Sequence, residues 1–334
     1  MVSVRARRIG GHGDLMRVLF LFFDGLGLGE DDREHNPFAA ADLPTLTSFT
    51  GGRRWLRGLP RIESERATFL PTDACLGVDG RPQSATGQAT IMTGINVPRQ
   101  LGYHYGPKPN PDIAAIIRQE SIVKKLAERG LRTGLINVYP SAFIENIERG
   151  KRLPSSNQMA LRVGGVKLLD GRALLEHRAL SVDFTGRLWW RHGANHDAAT
   201  KVWRTQFGND ELPLMSPFEA GQHLARLAQD YHFTFFDHWL TDYLGHRGTM
   251  EQAVELLQII DEALAGLLDA WDDSEGLIVL TSDHGNFEDL GQRGHTRNPV
   301  PTLVIGAARH RFLDGLKDLT GFTPGLLRVF SSRA

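Results

Sequence analysis

Short apolar runs alternate with longer amphipathic stretches along this chain. Val18–Phe23, Thr133–Val138, His232–Phe236, Leu277–Thr281 and Thr302–Ile305 are four to six residues long. They lack the polar alternation of a half-exposed strand and are predicted as strands buried on both faces. Between them the spacing predicts helices. Over Met250–Trp271, the residues Val254, Leu257, Ile260, Leu264, Leu267 and Trp271 recur every three or four positions and form one apolar stripe. Ser121–Arg129 reads as a second helix, closed by Gly130 as its C-cap. Such an alternation predicts an α/β fold: a mostly parallel central sheet with helices on both faces.

The pattern breaks between about residues 146 and 215. Lys151-Arg152-Leu153-Pro154-Ser155-Ser156-Asn157, the pair Gly164-Gly165 and residues 186–195 are rich in turn formers and weak in period. This stretch is expected to be a small inserted cap, leaving 17–145 and 216–334 as the core. Residues 1–16 are basic at first, then Gly-rich and polar over Ile9–Asp14, where a signal peptide would need an apolar centre. They are expected to be a disordered leader. The run Val18–Phe23 falls far short of the roughly 20 apolar residues of a membrane span.

Composition narrows the partners. The 38 Lys+Arg balance 39 Asp+Glu, and no dense basic block is present, which argues against a nucleic-acid or anionic-membrane partner. Cys75 is the single cysteine; an internal disulfide is impossible, and a reducing cytoplasm is the expected location.

Four stretches place metal-type ligands at or just after the ends of predicted strands, the edge where open α/β sheets bind ligands. Asp24, followed by Gly25, ends the first strand. Asp242 and His246 lie four apart, a spacing that puts both on one helical face. Asp283 and His284 follow Leu277–Thr281 directly, and His295 precedes Thr302–Ile305. Taken singly, each is as readily a cap or a surface residue. Four such clusters on one sheet edge point to bound cations, because buried like charges are costly unless paired or metal-bound. In Pro82–Gly94, Ser84 falls at the start of a predicted helix, where free N–H groups favour an anionic oxygen. An N-cap role is the plain alternative. No Gly-x-Ser-x-Gly elbow accompanies it, so a divalent metal is the candidate activator.

These residues resemble the metal-dependent alkaline phosphatase superfamily, and within it the cofactor-independent phosphoglycerate mutases and phosphopentomutases. The similarity is strongest in Thr281–Asn286 (TSDHGN) and Gly294–Pro301 (GHTRNPVP), and extends to Asp242–His246 and Phe23–Gly29. It implies an alkaline phosphatase-like core holding two divalent ions, Mn or Zn. Asp24, Ser84, Asp283 and His284 would bind one, and Asp242, His246 and His295 the other, with Ser84 as catalytic nucleophile. Ser84, not Thr86, is selected because the mutases place the nucleophile three residues before a glycine, here Gly87. The expected activity is phosphoryl transfer through a phosphoserine on a small phosphorylated substrate, with hydrolysis of a phosphate ester as the leading reading and a phosphomutase as the alternative. A noncatalytic metal-stabilised binding protein is the reading from another class. Arg247, Arg297 and His104 are the candidate substrate binders. Gln88 departs from the histidine or similar group common there in the mutases.

Overall fold

The computed structural model describes residues 16–186 and 214–331. Its seven strands are β1 (Arg17–Phe23), β2 (Ile62–Glu63), β3 (Ala67–Thr72), β4 (Thr133–Leu135), β5 (Phe233–His238), β6 (Gly276–Thr281) and β7 (Val300–Ile305). They form one sheet in the order β2-β3-β7-β6-β1-β5-β4. The neighbours β4, β5, β1 and β6 are parallel. β7 runs antiparallel to both β6 and β3, and β2 antiparallel to β3. The mostly parallel core is therefore as the alternation predicts, with a mixed edge formed by β7, β3 and β2. β3 reads Ala-Thr-Phe-Leu-Pro-Thr, and Pro71 interrupts what would otherwise register as a strand.

Burial on both faces follows from the side-chain alternation. In β1, Leu19, Leu21 and Phe23 enter one apolar cluster while Val18, Phe20 and Phe22 enter the other. The helices Pro217–Ala228 and Met250–Ala270 supply Leu224, Leu257, Ile260 and Leu264 to the first. The helices Ser84–Thr93, Pro111–Glu120, Ile122–Glu128, Ser156–Val163 and Phe322–Val329 cover the second. There Phe20 stacks on Phe235 at 5.4 Å and meets Phe322 edge-on at 5.8 Å, geometries that aromatic pairs prefer.

Part of the expected insertion, residues 146–186, is described, and its helix Ser156–Val163 packs onto the core. Ser156 Oγ donates to the Ala85 carbonyl at 2.8 Å, and Ser121 Oγ donates to Ala160 at 2.9 Å. Residues 187–213 of the insertion, and residues 1–15 of the expected leader, lie outside the described residues.

His238, at the end of β5, is fully buried beside Phe23 and Phe184, and neither ring nitrogen has a hydrogen-bond partner among the described residues. Burial pulls its pKa from 6.5 to about 3. Above pH 6.5 the ring is neutral in both folded and unfolded chains; between 6.5 and 3 only the unfolded chain takes up the proton, so stability falls as pH falls. The cost is about 1.4 kcal/mol per pH unit within that window. His238→Leu should therefore lose less stability than the parent between pH 7 and pH 5 in urea unfolding. Equal losses would show that His238 is not the acid-sensitive group.

Candidate metal centre

The parallel strands deliver the candidate ligands to one edge. Asp24 follows β1, and its backbone N–H donates to the His238 carbonyl at 2.9 Å. Asp283 and His284 follow β6 and are fully buried. Asp242 and His246 share one face of the helix Leu240–Arg247, in which Gly245 permits close approach: a Cβ there would stand 2.6 Å from the Asn286 amide carbon. His295 lies on the loop before β7, and its Nδ1 meets the Pro82 carbonyl at 2.8 Å.

Two groups result. Ligand atoms of Asp24, Asp283 and His284 lie within 4.8 Å of one another, as do those of Asp242, His284 and His295. His246 Nε2 stands 3.4 Å and His295 Nε2 3.7 Å from Asp242 Oδ1. The rings of His284 and His295 stack at 3.7 Å. All six side chains expected as ligands, serine aside, thus converge, with His284 facing both groups. His246 Nδ1 is hydrogen-bonded to the Arg293 carbonyl at 2.8 Å. This bond and the His295–Pro82 bond leave each Nε2 lone pair toward the centre, the tautomer that a metal-binding imidazole needs.

Ser84 is the first residue of the helix Ser84–Thr93; its cap residue is Gln83. Ser84 Oγ therefore does not cap the helix and lies 3.0 Å from His284 Nε2. Thr86 is otherwise engaged: its hydroxyl donates to Gln83 O at 3.1 Å and accepts from Tyr105 N at 3.2 Å. Gly87 lets this helix meet the sheet edge, since a Cβ there would come 2.8 Å from the Asp283 carbonyl oxygen.

The electrostatics call for positive charge. Burial, then the neighbouring charge of Asp24, drives the Asp283 carboxyl well above its ordinary pKa. Burial disfavours charge on His284, but Asp283, Asp24 and Asp242 more than offset it and raise its pKa to about 10. Burial and the charge of His284 together lower His295 to about 3. Asp24 Oδ1 and Asp283 Oδ2 are buried, and apart from His284 Nε2, which stands 3.2 Å from the first and 3.7 Å from the second, they meet no donor among the described residues. A carboxylate-rich site with orphaned oxygens and one imidazole held protonated has the donor set and the charge deficit that a divalent cation satisfies.

Residues other than the candidate ligands complete the centre. Asn286 Nδ2 donates to Asp242 Oδ1 at 2.8 Å, and Gln88 Nε2 donates to Asp24 Oδ2 at 3.0 Å. Gln88, the departure from the mutase pattern, thus holds a candidate ligand. Glu288, 1% exposed, accepts from Gly27 N at 3.0 Å, Asn286 N and Asn298 Nδ2 at 2.8 Å each, and the Thr296 hydroxyl. It ties together the three loops that carry Asp24, Asp283–His284 and His295. Asp237 is likewise buried, accepts from Tyr139 OH at 3.1 Å and Asn157 Nδ2 at 3.4 Å, and has its pKa raised to about 6 by burial and by Asp24. Neither acid has a spacing that distinguishes it in the sequence.

The three candidate substrate binders are dispersed. Arg247 is exposed, with its guanidinium 5.9 Å from the Tyr243 ring centre. Arg297 lines a cleft of about 410 Å³ together with Arg57, Arg81 and His295. His104 Nε2 is 3.3 Å from the Val78 carbonyl, and burial lowers its pKa.

Residues 210–322, which carry Asp242 through His295, match the Metalloenzyme superfamily. The phosphoglycerate mutase (2,3-bisphosphoglycerate-independent) of Legionella pneumophila strain Lens is 31% identical over 129 residues, 36% of this chain and 25% of that protein. The enzyme of the same name from Clostridium perfringens is 34% identical over 131 residues, again 36% and 25% of the two chains. The matching stretch thus spans only a quarter of either relative's length. In structure, a mutant of TAB5 alkaline phosphatase with bound magnesium aligns over 94% of this chain and 97% of its own, with TM-score 0.52 and 14% identity. The fold is therefore alkaline phosphatase-like, and the segment that carries Asp242 through His295 matches the Metalloenzyme superfamily. The sequence similarity runs to the phosphoglycerate mutases, as the motifs TSDHGN and GHTRNPVP lead one to expect. Among the described residues no helix is long and apolar enough to cross a membrane.

Proposed function

We propose that this chain is a two-metal phosphoryl-transfer enzyme acting on a small phosphate monoester, with Ser84 as the acceptor of the phosphoryl group. The observation that carries this reading is the position of Ser84 Oγ, at a helix N-terminus and 3.0 Å from the imidazole that faces both ligand groups. Asp24, Ser84, Asp283 and His284 would hold one divalent ion and Asp242, His246 and His295 the other; the mixed oxygen and nitrogen donors suit Mn or Zn. When bound, such ions would favour the serine alkoxide and neutralise charge on the transferring phosphoryl oxygens.

The chain's own groups do the rest. The helix N-terminus at Ser84 orients an anionic substrate toward the hydroxyl. Asn286, Gln88 and Glu288 fix the ligand carboxylates and loops, so that little reorganisation accompanies the reaction. Ser84 Oγ loses its proton as it forms the bond to phosphorus, and the leaving oxygen takes up a proton as it departs. The phosphoserine is then relieved by water, which makes the enzyme a hydrolase, or by a hydroxyl of the retained substrate, which makes it a mutase. The insertion, residues 146–215, is the segment suited to govern that choice, because its helix Ser156–Val163 touches the nucleophile helix at Ala85. The single Cys75 supports work in a reducing cytoplasm.

A panel of phosphate monoesters, diesters and phosphoglycerate, scored separately for free phosphate and for isomerised product, tests this reading. Phosphate release from monoesters is the expected result; isomerisation without release would replace the hydrolase by the mutase, and inactivity on all of them would overturn phosphoryl transfer. Metal binding is checked independently. Mn²⁺ or Zn²⁺ at a hundred times its Kd should stabilise the fold by about 2.7 kcal/mol, seen as a raised Tm. Asp283→Asn should remove most of that rise, and an undiminished rise would take Asp283 out of the ligand set.

A further inference from the structure

The insertion reaches the candidate metal centre through one buried amide. Gln88 Nε2 donates to Asp24 Oδ2 at 3.0 Å, and on its other side Gln88 Oε1 accepts from the backbone N–H of Asn157 at 3.4 Å. Gln88 and Asn157 are both closed to solvent. An amide side chain carries a donor on one side and an acceptor on the other. Only the donor side suits a carboxylate; turned over, Oε1 would face Asp24 oxygen against oxygen. The Asn157 N–H holds the amide the right way round, because it needs an acceptor and Nε2 cannot be one.

Local structure leaves that N–H free for the task. Asn157 is the second residue of the helix Ser156–Val163, and the first-turn N–H groups of a helix have no partner within it. The Ser155 hydroxyl takes the Gln158 N–H at 3.1 Å, and the Gln158 side chain returns to Ser155 N at 3.0 Å, so this cap does not use Asn157. Two anchors hold the helix start in place. Ser156 Oγ bonds the carbonyl of Ala85, three residues before Gln88 on the nucleophile helix. Asn157 Nδ2 donates to Asp237 Oδ1 at 3.4 Å, and Asp237 is itself fixed to Asn137 by two bonds, N–H to Oδ1 at 2.6 Å and carbonyl to Nδ2 at 3.1 Å. The insertion is thereby tied both to the nucleophile helix and to the sheet.

We infer that Asn157 is a positioning residue of the metal centre: its N–H sets the Gln88 amide, and through it the Asp24 carboxylate. The insertion then tunes one ion, that of Asp24, Ser84, Asp283 and His284, and leaves the ion of Asp242, His246 and His295 alone. This inference rests on the two-metal reading of the centre.

Calorimetric titration of the full-length chain with Mn²⁺ tests it, each ion being identified by its loss in Asp283→Asn or in Asp242→Asn. Asn157→Pro removes the N–H within the first helical turn, where proline is tolerated, and Asn157→Ala keeps it. Both variants lose the bond to Asp237, so their difference reports the N–H. Asn157→Pro should weaken the Asp24 ion by about 10- to 100-fold, the scale of a lost hydrogen-bond partner of a metal ligand. Asn157→Ala should lose stability in urea yet keep the parent's affinity for both ions. Gln88→Met, which keeps the bulk and removes both bonds, should weaken the same ion alone, and adding Asn157→Pro to it should weaken that ion no further, as expected of two residues acting in series. Gln88→Met also keeps the inference open to refutation however the proline variant folds. Unchanged affinity in Gln88→Met, equal weakening of both ions, or equal effects of Asn157→Pro and Asn157→Ala would overturn the inference and leave the two-metal reading standing. A parent chain that binds no Mn²⁺ would overturn the two-metal reading, and the inference with it.

Discussion

Ser84→Ala should lower turnover of any phosphate ester by on the order of a thousandfold or more, the scale seen when a nucleophile is removed from a cooperating set. The metal-dependent rise in Tm should largely survive, because Asp24, Asp283 and His284 remain within 4.8 Å of one another without the serine. The pairing of the two results is informative. Loss of activity with retained metal binding separates a nucleophile from a ligand whose removal empties the site. Thr86→Val is the control for register: its hydroxyl serves Gln83 and Tyr105, so this variant should lose stability while keeping the capacity to be phosphorylated. Full activity in Ser84→Ala would remove Ser84 from the mechanism.

The second large effect falls on stability. Glu288→Ala strips the acceptor from two backbone N–H groups, the Asn298 amide and the Thr296 hydroxyl, all in a region closed to water. Buried donors left unpaired cost about 1–3 kcal/mol each, and bonds to a charged group are the stronger kind. A loss of roughly 4 kcal/mol or more is expected, a large share of the roughly 5–15 kcal/mol that holds a domain folded. Urea unfolding of parent and variant measures it. Metal affinity should fall with it, because Glu288 bonds Asn286, which in turn orients Asp242. A stability change below about 1 kcal/mol would mean that the three loops hold their positions without Glu288.

Much of this was legible in the sequence, and the parts that were not share a physical cause. Buried strands such as β1 and β6 announce themselves as uninterrupted apolar runs, so the parallel core and the candidate ligands at its edge could be placed from the chain alone. Asp242 and His246 are readable because helical spacing puts them on one face. The limits appear where a role depends on distant partners. Glu288 stands 261 positions from Gly27, and nothing around it distinguishes it from any other acid. Gln88 looks like a mere departure from the mutase pattern until its amide is seen on Asp24. β3 was hidden by Pro71, and the fourth strand stops at Leu135, short of the predicted Val138, because Asn137 and Val138 turn to pair with Leu180 and Leu169 of the insertion.

The central claim is that Ser84 itself takes the phosphoryl group. Mixing the metal-loaded chain with a turned-over phosphate ester, quenching in acid within one turnover and mapping the peptides by mass spectrometry tests it directly. The account predicts one phosphoryl group on Ser84, absent from Ser84→Ala. Turnover with Ser84 unmodified, or with the phosphoryl group on another residue, would contradict it.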